Sequence, residues 1–124
     1  MNEKYYIADH GIREAIMENN QKNINQVLEN IVYFEMLRRG YNVKIGKVDN
    51  LEVDFVCKKN DETIYIQVSY LLASEDTKEI EFSVLENIKD NYPKYVVTAD
   101  SILQQRNGIE HINLVDFMRN GKAF

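Results

Sequence analysis

Hydrophobic and polar positions follow two rhythms along the chain. Between Asn23 and Arg39 the apolar residues Ile24, Leu28, Ile31 and Val32 recur at i, i+4, i+7 and i+8, the spacing of one helix face. Val27, Phe34 and Met36 widen that face, which predicts a helix buried on most sides. Asn23 or Asn25 is placed to cap its start. Arg38, Arg39 and then Gly40 form a stop whose charges suit the helix dipole. Glu35 falls inside the apolar stripe, and a buried carboxylate needs a partner. From Tyr41 onward the period drops to two. "YNVKIGKV", "EVDFVCKK" and "TIYIQVSY" read as three strands, and the Asn and Asp of "VDNLE" and "KKNDE" suit tight hairpin turns between them.

A second long helix is predicted from Ser74, with Glu75 and Asp76 in its first turn, to about Asn91. Its stripe is Ile80, Val84, Leu85 and Ile88, and Pro93 closes it. "KYVVTA" reads as a fourth strand, "GIEHINL" as a fifth and "VDFMRN" as a terminal helical turn. Upstream, "GIREAIM" (Gly11 to Met17) reads as a short helix after an extended "KYYIAD". The order α-α-β-β-β-α-β-β predicts an α/β fold, a mixed sheet flanked by helices. The crossover helix allows the third and fourth strands to run parallel as neighbours.

A length of 124 residues, 44% hydrophobic and 28% charged, fits one soluble domain with a single core. No run of about 18 apolar residues spans a membrane, and the N-terminus lacks a signal-peptide layout, so a cytoplasmic location without a membrane partner is expected. One cysteine, Cys57, excludes an internal disulfide and reads as a small core residue. His10 and His111 stand far apart with no cysteine pair near either, which argues against zinc. The net charge of −5 argues against avid DNA binding. The basic residues come in pairs or singly (Arg38 with Arg39, Lys58 with Lys59, then Lys44, Lys47, Lys89 and Lys94), and a local patch after folding stays open.

Strand alternation places Glu52, Asp54 and Val56 on one face of the second strand and Val53, Phe55 and Cys57 on the other. In the third strand Gln67 and Ser69 share a face opposite Ile64, Ile66 and Val68. Pairing these strands brings Asp54 beside Gln67 and Ser69. Glu29, off the centre of its helix stripe, can look at the same sheet edge, and Glu35 is the other candidate for that acid. Against this stands a bland reading: Gln67, Ser69 and Asp54 bond one another as a satisfied polar pocket that fixes strand register.

The chain resembles the PD-(D/E)xK nuclease superfamily, whose pattern is an acid on a first helix, a strand with Asp and then a strand with acid-x-Lys. Here the last two positions hold Gln67 and Ser69. The superfamily's restriction-endonuclease-like αβββαβ core matches the predicted order from Asn23 to about Thr98. "LENIVYFEMLRRGYNVKIGK", "EVDFV", "IYIQVSY" and "NYPKYVVTAD" are similar to a C-terminal nuclease-like domain, of unknown function, of prokaryotic AAA-type P-loop ATPases. The resemblance covers nearly the whole chain. It implies that residues 1–22 are a junction and short helix after an ATPase and winged-helix region, and that 23–124 form the nuclease-like domain. In that light Met1 reads as an artificial start on an excised domain.

Carried over residue by residue, Glu29 matches the helix acid, Asp54 the metal-binding Asp, Gln67 the second acid and Ser69 the lysine. Active relatives use such carboxylates to hold magnesium and the lysine to stabilise the developing anion. Gln67 keeps an oxygen without charge, and Ser69 supplies no cation; one missing electrostatic donor costs about 2.7–4 kcal/mol, roughly 100- to 1,000-fold in rate. Ile80 stands where the family often places an arginine. The resemblance therefore implies a domain that does not cut, with no cofactor expected and Mg or Mn, on Asp54 and Glu29, only if a residual nuclease site persists. Its implied partners are its own ATPase module, a second copy as a homodimer, or weakly held DNA. The alternatives are a metal-dependent endonuclease with an altered motif and a pure protein-interaction module. The chain has no GxxxxGK[ST], so it does not bind ATP by that route.

Overall fold

The helical rhythm that starts near Asn23 becomes helix α1, Gln21–Arg38, in a computed structural model that describes residues 10–11, 13–14, 17, 21–48, 50–72 and 75–119. Most of the junction 1–22, with "KYYIAD" and much of "GIREAIM", lies outside the described residues, as does Ser74. Ile24, Leu28, Val32 and Met36 are buried along one face of α1, with Val27 and Ile31 packed at its flank. Phe34 is exposed, so the helix is half-sided rather than buried all round. Asn23 and Asn25 sit inside the helix rather than capping it, and the Asn25 side chain instead accepts the Tyr70 N–H (3.0 Å). The predicted stop holds. Gly40 adopts φ 93°, Tyr41 N–H reaches Met36 C=O and Gly40 N–H reaches Leu37 C=O, the paired bonds of a left-handed C-terminal cap.

Strands β1 (Asn42–Val48), β2 (Leu51–Lys59) and β3 (Glu62–Val68) form the expected antiparallel meander. Asn50 and Asn60 occupy its turns with positive φ, a conformation asparagine tolerates. Helix α2 (Glu75–Glu86) crosses over to β4 (Lys94–Thr98), which lies parallel to β3; β5 (Glu110–Asn113) adds in parallel and helix α3 (Leu114–Arg119) follows. The five strands lie in the order β1-β2-β3-β4-β5. Helix α2 stops at Glu86, well before Pro93. Past that end Asn87 N–H and its side-chain amide both donate to Ser83 C=O, and Ile88 is buried beyond the helix.

Each face of the sheet has its own core. Phe55, Cys57, Ile64, Ile66, Val68 and Val97 pack against α1 and α3. Tyr65, Val96, Phe82, Leu85 and Ile109 pack on the α2 side. Cys57 is fully buried and burial pushes its thiol up to about 12, so it is inert core as expected. No helix among the described residues is long and apolar enough to cross a membrane.

A buried polar network holds the β4–β5 end. His111 Nδ1 accepts the Gln104 N–H (2.9 Å), which leaves the proton on Nε2 to donate to Thr98 Oγ1 (2.6 Å). Thr98 in turn donates to Asp100 (2.7 Å), whose carboxylate also accepts the Leu72 N–H. Burial lowers the His111 pKa below the ordinary 6.5, against the opposing pull of Asp100. The unfolded chain therefore takes up this proton first as pH falls. The contribution of His111 to stability is complete above 6.5 and declines toward the lowered folded value. An NMR titration is expected to give His111 a midpoint below 6.5; a midpoint above it would overturn this network.

Candidate functional site

Pairing of β2 with β3 runs from Lys59↔Glu62 only as far as Phe55↔Ile66. Past that point side chains replace the ladder. The Asp54 N–H donates to Gln67 Oε1 (2.6 Å) and the Val68 N–H donates to an Asp54 carboxylate oxygen (2.8 Å). On the other edge of β2, Val56 faces Lys44 and Val53 faces Gly46. Two residues of β2, Asp54 and Phe55, thus oppose the single Ile45 of β1, which is a β-bulge. The bulge corrects the strict alternation expected here. Val53 joins the α2-side core together with Val56, while Phe55 and Cys57 stay on the α1 side. It sets Asp54 at the point where β2 and β3 part.

Glu29 from α1 and Glu81 from α2 reach this opening from either side. The Glu81 carboxyl is raised to about 7, by burial first and then by the charges of Asp54 and Glu29. Burial and then Asp54 raise Glu29. Burial raises Asp54 too, partly offset by the Val68 N–H it accepts. Like charges brought together out of water disfavour ionisation, so the cluster holds protons that free carboxylates would release. The Gln67 amide is buried between Asp54 and Glu81, donating to Glu81 Oε2 at 3.4 Å. Ser69 is buried at the end of β3, where its N–H continues the ladder to Val97 C=O. Among the described residues its hydroxyl makes no hydrogen bond to Asp54 or Gln67.

Of the four expected positions, Glu29, Asp54 and Gln67 therefore meet, and Ser69 follows them on the strand without joining their bonds. Glu35 is a different acid. It is buried at the far end of α1 between Arg38 (2.7 Å) and Arg39 (2.8 Å), which settles the choice in favour of Glu29. Glu81 was missed. The expected stripe of α2 ran through Ile80, but Ile80 is 62% exposed and the buried residues are Phe82 and Leu85. A helix face centred on Phe82 and Leu85 carries Glu81 at its flank, four residues before Leu85.

Chemically, a carboxyl titrating near 7 can donate or accept a proton at neutral pH. Among the described residues no lysine or arginine ion-pairs with Glu29, Asp54 or Glu81. Nor do three of their Asp, Glu, His or Cys side chains converge as ligands for a metal ion. One Asp54 carboxylate oxygen and the Gln67 side-chain oxygen each accept a backbone N–H group.

No family model matches the chain. It is 42% identical over 118 residues to a protein of Haemophilus influenzae described as uncharacterized. The match takes in 94% of this chain and 29% of that protein's length.

Proposed function

We propose that this chain is a PD-(D/E)xK-like domain that no longer cuts nucleic acid. It is carried as the C-terminal part of a larger AAA-type P-loop ATPase and works as an interaction or weak DNA-binding module. One observation carries the reading: the groups at the catalytic positions are turned inward. The Gln67 oxygen holds the Asp54 N–H, the Asp54 carboxylate holds the Val68 N–H, and Ser69 brings no cation to the opening. A hydrolytic site needs these oxygens facing the substrate and a positive charge beside the phosphate. The arrangement around Asp54, with β2 and β3 parting beside an acid from each flanking helix, supports the fold assignment. Similarity to a stretch amounting to 29% of a longer protein supports a domain within a larger chain.

Plasmid DNA incubated with the protein and Mg or Mn is expected to stay intact, and Mn is expected to leave the melting temperature unchanged. A second reading, an endonuclease with an altered motif, draws on Glu81, a third carboxyl that the opening gains from α2. Ion-dependent cleavage that Asp54→Ala abolishes would replace the first reading with the second.

A further inference from the structure

Among the described residues, several cations are tied to partners. Arg38 and Arg39 bind Glu35, Lys94 binds Asp90, and Arg106 binds Glu79 and Glu86. Lys59 donates to Arg39 C=O. Lys44, Lys47 and Lys58 have no such partner among the described residues. These three line one groove of about 560 Å³ on the β1–β2 hairpin, over Val56 and Tyr65. Among the described residues no acidic side chain lines it, in a chain whose net charge is −5.

The sheet explains why they gather. Val56 is paired with Lys44 on one side and Tyr65 on the other, and Lys58 stands two residues further along β2. Lys44 and Lys58 are thus diagonal neighbours on one face, about 7–8 Å apart. Helix α2 packs over β2, β3 and β4, and this margin of the sheet lies outside its main cover. Lys47 is opposite Glu52 in register, so Lys44 and Lys58 are the two principal charges. Val56, on the groove's floor, lies two residues along β2 from Asp54.

We propose that this groove is a binding surface for the phosphate backbone of a nucleic acid; the proposal rests on the reading of the domain as a binding module and gives that module its contact surface. Three features favour phosphates over an acidic peptide. The floor is filled by Val56 and by the Tyr65 ring, whose hydroxyl is engaged by Asp90 (2.7 Å), so no socket receives a peptide side chain. Lysines act as point charges on flexible stems, which suits sequence-independent contact with a regularly charged strand. Lys44 and Lys58 stand diagonally on neighbouring strands, so one phosphate backbone laid across the hairpin meets both charges in succession.

The test is fluorescence anisotropy of the 124-residue chain with a short labelled DNA duplex across a range of salt concentrations. The double variant Lys44→Ala/Lys58→Ala is expected to lose roughly tenfold or more in affinity at low salt and to reduce the salt slope by about 2. Lys78→Ala/Lys89→Ala, an equal change of charge elsewhere, is expected to leave both unchanged. Melting curves establish that each variant folds. Equal losses from both double variants would overturn the groove, as would absence of duplex binding at the lowest salt. Competition by polyglutamate as effective as DNA, charge for charge, would also overturn it, pointing to an acidic protein partner. Ion-dependent plasmid cleavage would instead overturn the non-catalytic reading and leave the groove standing.

Discussion

Glu81→Gln is expected to stabilise the protein at pH 8 and to leave its stability nearly unchanged near pH 4. The Glu81 carboxyl titrates at about 7 in the folded state against 4.5 for an ordinary glutamate, with burial as the first cause and Asp54 and Glu29 as the next. A carboxyl raised on folding is most favourable to the native state below 4.5, where both states hold the proton. That advantage is lost as pH rises toward 7, because the unfolded chain ionises first. At about 1.4 kcal/mol per pH unit, the ionised glutamate costs the native state roughly 3 kcal/mol above pH 7. Glutamine has nearly the shape of the protonated acid and its carbonyl can still accept from Gln67 Nε2. The variant should therefore gain roughly 2–3 kcal/mol, or about 10 °C in melting temperature, at pH 8. Urea unfolding at the two pH values measures it. A gain of equal size at both would assign the effect to packing and remove the argument for a proton-holding cluster.

A cost of that size in a domain of this length is large, since stability as a whole is of order 5–15 kcal/mol. Acids are retained in such positions at functional sites, where activity and stability pull apart. On the proposed reading, the cluster at the β2–β3 opening is what remains of a site that once placed charge there, with Gln67 as the member already neutralised.

The meander and crossover were legible because each strand announces itself by period two and each hairpin by an asparagine able to take positive φ. That Asp54 and Gln67 lie near each other was legible from the order of the two strands, and Glu29 from its place off the centre of the α1 stripe. The bulge at Asp54–Phe55 was not, because a two-against-one count appears only when β1 and β2 are paired. It misassigned Val53, and it is also what sets Asp54 at the fork. Glu81 was hidden by a different cause. Ile80 is as apolar as Phe82, and apolar residues on either side of Glu81 offer two equally good helix faces in sequence. Burial of Phe82 against Val96 and Ile109 decided between them, and this turned Glu81 inward. The start of α1 was misplaced because Asn25 serves the Tyr70 N–H, a partner 45 residues away.

The same change, glutamate to glutamine, is expected to have the opposite sign at Glu35. This carboxylate is also buried, with its side chain 2% exposed, but it faces two guanidinium groups. Arg38 is mostly in solvent and contributes little. Arg39 is 10% exposed; it also donates to Phe117 C=O and lies over the Phe117 ring at 4.7 Å. Glu35 thus neutralises the cation that clasps the last turn of α1 to α3. Glu35→Gln removes the buried carboxylate that Arg39 and Arg38 share, and a loss of about 3–5 kcal/mol is expected by urea unfolding at neutral pH. Replacing both members, Glu35→Leu with Arg39→Met, should recover most of the loss, because apolar packing can stand in for a buried pair once neither charge remains. Single and double variants equally unstable would mean that the clasp itself, rather than charge compensation, is what Glu35 supports.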